Sequence, residues 1–202
     1  MNIQDVKDTK IPDNIWEEIF NKQLALAIKY RDIEDMGDLL DTLKSNLDTA
    51  KGQKWIKDFA WRTTEELTEA DEALMLYNLH KDDAMYEHYI EELIDALHFL
   101  VELCIVAGYN YTDFDIPETK EYPKVISYDV IYSLGLACNC LKNKPWKQTQ
   151  MLTDRNKFYL YLDEAFLKLR LLLHGQDLKD KDIYNYYFKK NAVNKFRIRS
   201  KY

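Results

Sequence analysis

The sequence contains little glycine or proline, the residues that most often interrupt regular structure. Only five glycines and four prolines occur in 202 residues, so the connections between elements must be few and short. No segment of useful length shows the alternation of apolar and polar residues that marks a half-buried strand. These absences predict an all-α fold of long helices, and we expect a single domain over residues 1–202.

Cysteine is also scarce. The three cysteines, Cys104, Cys138 and Cys140, cannot all pair with one another, which argues against a disulfide framework. Cys138 and Cys140 form a single Cys-x-Cys with no companion pair, and this is a poor zinc signal. We therefore expect free thiols and a fold held together by its core.

The sequence lacks both a long apolar run and an excess of positive charge. The first residues contain no signal-peptide stretch, and the longest apolar run, Leu97 to Tyr109, includes Glu102 and is too short for a bilayer. A net charge of −7 argues against sequence-independent binding to a nucleic-acid backbone. We expect a cytoplasmic protein with neither a membrane nor a nucleic-acid polymer among its partners.

Apolar residues at three- and four-residue intervals predict a series of helices. The predicted spans are 14–30 after a cap at Asp13, then 36–50, 53–79, 86–107, 125–141, 155–174 and 179–197, with a loop at 109–124. We expect the third and fourth of these helices to pack as a central antiparallel hairpin.

Two acidic pairs lie on this predicted hairpin. Glu66 and Glu69 are three residues apart, as are Glu92 and Asp95, so each pair projects from one side of its helix. Each pair borders an apolar stripe, so the hairpin would bring four carboxylates together. Their repulsion requires a cation, and oxygen-only ligands favour Mg²⁺ or Mn²⁺. The pattern leaves open that both pairs are solvated helix faces.

The spacing of these carboxylates resembles a known signature. Residues 65–69 (EELTE) and 92–95 (ELID) resemble the EExxE and ExxD motifs of the all-α nucleoside triphosphate pyrophosphohydrolases, which include MazG-like enzymes and the dimeric dUTPases. Residues 95–99 (DALHF) are similar to the dimeric dUTPase form. Residues 186–197 (YYFKKNAVNKFR) resemble that family's late motif, especially in the phage enzymes that hydrolyse dCTP and dUTP.

The resemblance implies a Mg²⁺-dependent, homodimeric dUTP diphosphatase that releases a monophosphate and pyrophosphate. Further candidate substrates are dCTP and the pyrimidine diphosphates. It implies that Glu66, Glu69, Glu92 and Asp95 are the catalytic and metal-binding residues, with Glu66 or Glu69 accepting a proton from water. The implied substrate contacts are Lys190, Asn194 and Arg197 for phosphates, Asn191 for the nucleoside, Trp61, His98 and Phe99 for base and sugar, and Gln23 in the first helix.

The sequence departs from the family pattern in two places where the nucleotide is recognised. Arg197 is followed by Ile198 in place of glutamine, and the glycine that follows in the family is missing. Leu26 stands where the family has an asparagine three residues after Gln23. Both departures bear on which base is preferred and not on the reaction type.

Three rival interpretations remain open. The first is a broad-specificity MazG-like pyrophosphohydrolase, and the second is a helical interaction module without activity. The third is a ferritin-like di-iron bundle, for which only Asp95-x-x-His98 comes near the required Glu-x-x-His motifs. Taken alone, the aromatic residues and His98 also fit an ordinary core, and Lys190 and Arg197 fit a solvated basic helix.

Overall fold

Six α-helices and one short 3₁₀ helix form the chain in a computed structural model that describes residues 6–109, 111, 122–141 and 153–200. The helices are α1 (Ile15–Tyr30), α2 (Ala50–His80), α3 (Asp83–Val106), α4 (Pro123–Cys140), α5 (Arg155–His174) and α6 (Asp180–Ser200), with the 3₁₀ helix at Leu43–Asp48. No strand occurs in the described residues, which confirms the predicted all-α fold. Within the same ranges, every helix is too short or too polar to cross a membrane.

The most extensive contact between helices joins α2 and α3. Only Lys81 and Asp82 separate them. Lys81 ends α2 in the left-handed conformation, with φ of 54°, and the Asp82 side chain caps α3 by accepting a hydrogen bond from the Ala84 amide. The rings of Tyr77 and Tyr86 meet near this connection. Further along the pair, Arg62 in the first half of α2 lies over the ring of Phe99 in the second half of α3. The two helices therefore run antiparallel.

Helix α3 lies in the interior and carries much of the core. It contacts α1, α2, α5, α6 and the 3₁₀ helix, and it buries Leu93, Leu97 and Leu100 completely. Leu67 on α2 is also fully buried. Each such leucine stabilises the fold by roughly 2 kcal/mol, so this burial anchors α3 and thereby positions the polar residues at its edges.

The predicted α-helix at 36–50 is wrong. This segment contains turns and then the 3₁₀ helix. Asp35, just before the segment, and Gly37, near its start, adopt left-handed conformations with φ of 54° and 61°. The Asn46 side chain donates to the Leu39 and Val106 carbonyls, both at 2.8 Å. Such side-chain to backbone bonds compete with helix hydrogen bonds. Most of the apolar residues there are buried, and the 3₁₀ helix contacts both α2 and α3.

Smaller differences concern where helices begin. Asn14 caps α1, because its side chain accepts from the Glu17 amide at 3.2 Å, whereas the sequence predicts a cap at Asp13. Helix α4 begins at Pro123, inside the predicted loop, since proline is well tolerated in the first turn. Asn110 and residues 112–121 of that predicted loop lie outside the described residues.

Candidate active site

A cluster of three carboxylates lies between α2 and α3. Glu66 and Glu69 are one turn apart on α2, and Glu92 faces them from α3. One oxygen of each carboxylate lies within 4.8 Å of the other two. Glu92 is buried, Glu66 is partly buried and Glu69 is exposed at the edge. The structure therefore brings together three of the four carboxylates named from the sequence.

The proximity of these groups makes Glu66 hard to ionise. Burial, a hydrogen bond with Glu92 and the charges of Asp95, Glu92 and Glu69 raise the pKa of Glu66 to about 8. A cation among the three carboxylates would oppose this shift, because an opposite charge favours the ionised form. The cluster offers oxygen donors only, which suits a hard divalent ion such as Mg²⁺ or Mn²⁺. The residues therefore fit a divalent metal site.

The fourth carboxylate, Asp95, is paired with a buried lysine from α6. Lys190 Nζ lies 2.5 Å from Asp95 Oδ2 and 3.2 Å from Glu91 Oε1. Burial raises the pKa of Asp95 to about 6, although Lys190 opposes the rise. Burial would lower the pKa of Lys190, but the two carboxylates outweigh it and the pKa is raised. A fixed positive charge thus stands beside the acidic cluster.

Gln23 of α1 lies at the centre of a buried hydrogen-bond network. Its Oε1 accepts from the Tyr187 hydroxyl at 2.6 Å and lies 2.8 Å from His98 Nδ1, while its Nε2 donates to Glu102 Oε2 at 2.8 Å. The His98 and Tyr187 rings stack with centroids 3.8 Å apart. Burial, with the charge of Lys190, lowers the pKa of His98 to about 3. The ring is therefore neutral near pH 7.

The two aromatic residues predicted to line a base pocket have different surroundings. Phe99 is partly buried beneath Arg62, whose guanidinium lies 5.6 Å from the ring centroid. Arg62 is held there by Glu34, which accepts from Nη1 at 3.0 Å. Trp61, the preceding residue on α2, is 62% exposed. Phe99 is thus packed against a cation, whereas Trp61 presents its indole to solvent.

The remaining predicted substrate residues follow α6. Lys190, Asn194 and Arg197 are spaced so that they share one side of the helix. Burial decreases along this side of α6: Lys190 is buried, Asn194 is partly buried and Arg197 is exposed. Asn191 points elsewhere, since it is buried and its Nδ2 donates to the Lys22 carbonyl at 3.3 Å.

The comparison with known proteins identifies the family. A family model described as dUTPase matches residues 16–202. The chain belongs to the dUTPase family. It is accordingly a dUTP diphosphatase, of a family that generally depends on a divalent metal. Searches of curated proteins and of solved structures found no match.

Three residues beside this candidate site are absent from those named from the sequence. Glu91 pairs with Lys190, and Tyr187 and Glu102 bind Gln23. Their spacing held a signal, because Glu91 precedes Asp95 by four residues, Glu102 follows His98 by four and Tyr187 precedes Lys190 by three. Each therefore shares a helix face with a residue already named.

Proposed function

We propose that this dUTPase-family enzyme uses Mg²⁺ to hydrolyse dUTP to dUMP and pyrophosphate. The observation that carries the proposal is the cluster of Glu66, Glu69 and Glu92, with oxygens within 4.8 Å of one another, beside the buried Lys190. Together with Asp95, these carboxylates would hold the ion. When bound, Mg²⁺ neutralises phosphate charge and lowers the pKa of a coordinated water.

The protein's own residues bind the triphosphate and move one proton. Lys190, Asn194 and Arg197 bind phosphate oxygens along one side of α6, with the Arg197 guanidinium able to donate two parallel hydrogen bonds. Glu66 or Glu69 accepts a proton from the attacking water. The water oxygen bonds to phosphorus as the bridging P–O bond breaks. Attack at the α or the β phosphorus gives the same two products.

We further propose that Gln23, Trp61, His98, Phe99 and Asn191 form the base and sugar pocket. The burial of His98 and the packing of Phe99 beneath an arginine support this assignment for these two residues. A pocket so lined excludes a purine by size and a 2′-hydroxyl by close packing. We expect dUTP to be the best substrate, followed by dCTP and the pyrimidine diphosphates.

Pyrophosphate release from dUTP and from the eight common ribo- and deoxyribonucleoside triphosphates, measured in Mg²⁺, tests this function. We expect dUTP to be cleaved fastest, dCTP next, and purines and ribonucleotides slowly, with EDTA abolishing turnover. Equal rates on every triphosphate would instead support a broad-specificity MazG-like enzyme. No release from any of them by folded protein would support the inactive interaction module.

We also propose that the chain is a homodimer. Val125, Tyr128 and Tyr132 lie at three- and four-residue spacing on one face of α4 and are 50%, 58% and 67% exposed. A contiguous apolar stripe of this kind is typical of an interaction surface. The resemblance to the dimeric dUTPases supports a second copy of this chain as its partner.

A further inference from the structure

Glu102 is a buried carboxylate to which the proposed reaction gives no role. It lies on α3 one turn beyond His98, is 7% exposed, and accepts a hydrogen bond from Gln23 Nε2. Its position links α3 to α1, and through Gln23 it reaches the His98 ring and the Tyr187 hydroxyl of α6. Glu102 therefore binds one predicted substrate residue, Gln23, directly and reaches a second, His98, through it.

The charge of Glu102 dictates the orientation of the Gln23 amide. An ionised carboxylate accepts hydrogen bonds and cannot donate them, so Gln23 must turn Nε2 towards Glu102. Its Oε1 then faces both the Tyr187 hydroxyl and His98 Nδ1. The two lone pairs of an amide oxygen can accept from both groups, but only if His98 carries its proton on Nδ1. In a neutral imidazole, Nε2 is then a bare acceptor.

That acceptor has no partner among the residues that the structure describes. His98 is 4% exposed, and its Nε2 makes no hydrogen bond to them. The Tyr187 backbone carbonyl lies near the ring and opposes the lowering of its pKa, but it does not meet hydrogen-bond geometry with Nε2. Buried polar atoms are nearly always paired in folded proteins, so this nitrogen suits a donor group on a ligand.

We propose that Glu102 is a positioning residue that, through Gln23, holds His98 as the Nδ1–H tautomer and presents Nε2 as an acceptor to a donor group of the bound nucleotide. The tautomer stands independently of the proposed function, whereas the ligand contact rests on it. The donor is an N–H of the pyrimidine or the 3′-hydroxyl of the sugar. Glu102 thereby fixes the hydrogen-bond polarity of one wall of the pocket.

Protonation of Glu102 removes this constraint. A neutral Glu102 can also donate, so Gln23 is free to turn Oε1 to Glu102 and Nε2 to His98 Nδ1, and the ring proton can then reside on Nε2. Burial and the charge of Glu34 raise the pKa of Glu102 to about 7, against the Gln23 hydrogen bond and the charge of Arg62. The phenols of Tyr30 on α1 and Tyr187 on α6 also face it. The Nδ1–H tautomer therefore dominates above about pH 7.

Side-chain ¹⁵N NMR of the nucleotide-free full chain tests the tautomer, because protonated and bare ring nitrogens resonate far apart. The chain has four histidines, and a His98→Asn spectrum assigns the signal. We expect Nδ1–H at pH 8 in the wild type, with Nε2–H growing as the pH falls through 7. Glu102→Leu should give Nε2–H at both pH values.

Two further variants keep this test decisive. Glu102→Gln preserves volume and can present either amide end, so we expect both tautomers and no pH transition. Asp163→Asn is the matched control, since Asp163 is a partly buried carboxylate on α5 that accepts from the Tyr109 hydroxyl; it should leave the His98 signal unchanged. A wild-type ring protonated on Nε2 at pH 8, or unchanged Nδ1–H in both Glu102 variants, overturns the proposal.

Adding saturating product identifies the donor. Bound dUMP should shift the His98 Nε2 resonance towards that of a hydrogen-bonded acceptor. Loss of this shift with N3-methyl-dUMP assigns the donor to the base, and loss with 2′,3′-dideoxyuridine monophosphate assigns it to the sugar. No shift with dUMP, or an equal shift with both analogues, overturns the ligand contact. Failure of dUTP hydrolysis would count against the proposed function and leave the tautomer result standing.

Discussion

At the scale of single residues, Glu69 and Glu72 lie one turn apart on α2 but have different surroundings. Glu69 belongs to the carboxylate cluster, whereas Glu72 is exposed outside it. Glu69→Gln keeps the side-chain volume and removes one charge and one metal ligand. We expect dUTP hydrolysis to fall by about a hundredfold or more, equivalent to a loss of about 2.7 kcal/mol in transition-state stabilisation. The melting temperature of the metal-free protein should stay or rise, because repulsion is relieved.

Glu72→Gln makes the same chemical change one turn away and is the matched control. It should retain wild-type turnover and stability, since an exposed substitution usually changes stability by less than about 0.5 kcal/mol. Pyrophosphate release and thermal melting of both variants are measured side by side. Comparable activity in the two would mean that the other side of α2 faces the substrate.

The sequence predicts some site residues better than others, because some contacts depend only on local geometry. The spacing of Glu66 and Glu69 fixes their common face, and a short connection to α3 is enough to bring Glu92 opposite them. The Gln23 network has a different origin. Gln23 is 79 residues from Glu102 and 164 from Tyr187. These contacts arise from the docking of α1 and α6 on α3, which no local pattern encodes.

At the scale of helices, Mg²⁺ should strengthen the α2–α3 pair. An ion that binds only the folded protein stabilises it by mass action, and it also offsets repulsion among Glu66, Glu69 and Glu92. We expect millimolar Mg²⁺ to raise the melting temperature, with a smaller rise in Glu69→Gln. An unmoved melting curve for the wild type, even with a nonhydrolysable dUTP analogue present, would contradict a metal site between these helices.

Asp180, the first residue of α6, makes hydrogen bonds to residues of α1 and α5. Asp180 Oδ2 accepts from Trp16 Nε1 and from Arg170 Nη2, both at 3.3 Å, and Oδ1 lies 2.9 Å from His174 Nε2. Hydrogen bonds to charged groups each contribute about 1.5–3 kcal/mol. We expect Asp180→Asn to lower the free energy of unfolding by about 2 kcal/mol in urea titrations, since it removes one charged hydrogen-bond partner from the buried Arg170.

The pH dependence of this loss separates charge from packing. Burial would raise the pKa of Asp180, but the His174 hydrogen bond and the Arg170 charge outweigh it, so the pKa is lowered. A group with a depressed pKa stabilises the fold above its unfolded value near 3.9. That stability is lost as the pH falls through the folded pKa. The wild type and Asp180→Asn should differ fully at pH 6, and the difference should shrink as the pH falls below about 3.9. A difference that does not change with pH would exclude the Asp180 charge as its cause.

The helix prediction failed at 36–50 for a reason that also acts at this scale. Apolar spacing there resembles a helix, but Gly37 adopts a left-handed conformation and Asn46 bonds two distant carbonyls. Gly52 then packs so closely on Asn46 that a Cβ would lie 2.2 Å from its carbonyl oxygen. Contacts with α2 and α3 therefore decide the backbone, and the amphipathic pattern alone does not reveal them.

At the scale of the whole molecule, the proposed dimer rests on the exposed stripe of α4. Replacing both Tyr128 and Tyr132 with glutamate would bury two unpaired charges in any interface formed there, which is strongly unfavourable. We expect size-exclusion chromatography with light scattering to show a wild-type dimer and a monomeric variant. Because both side chains are more than half exposed in the single chain, the variant should still fold, and its helical circular dichroism checks this.

Ile33→Glu is the matched control for that experiment. Ile33 is 63% exposed but lies after α1 and outside α4, so this variant should remain a dimer. A folded Tyr128→Glu/Tyr132→Glu protein that stays dimeric would move the interface to another face. A wild type that is monomeric at every concentration would remove the dimer from the proposal. Comparing dUTP hydrolysis in the monomeric and dimeric proteins then determines whether each carboxylate cluster works within one chain.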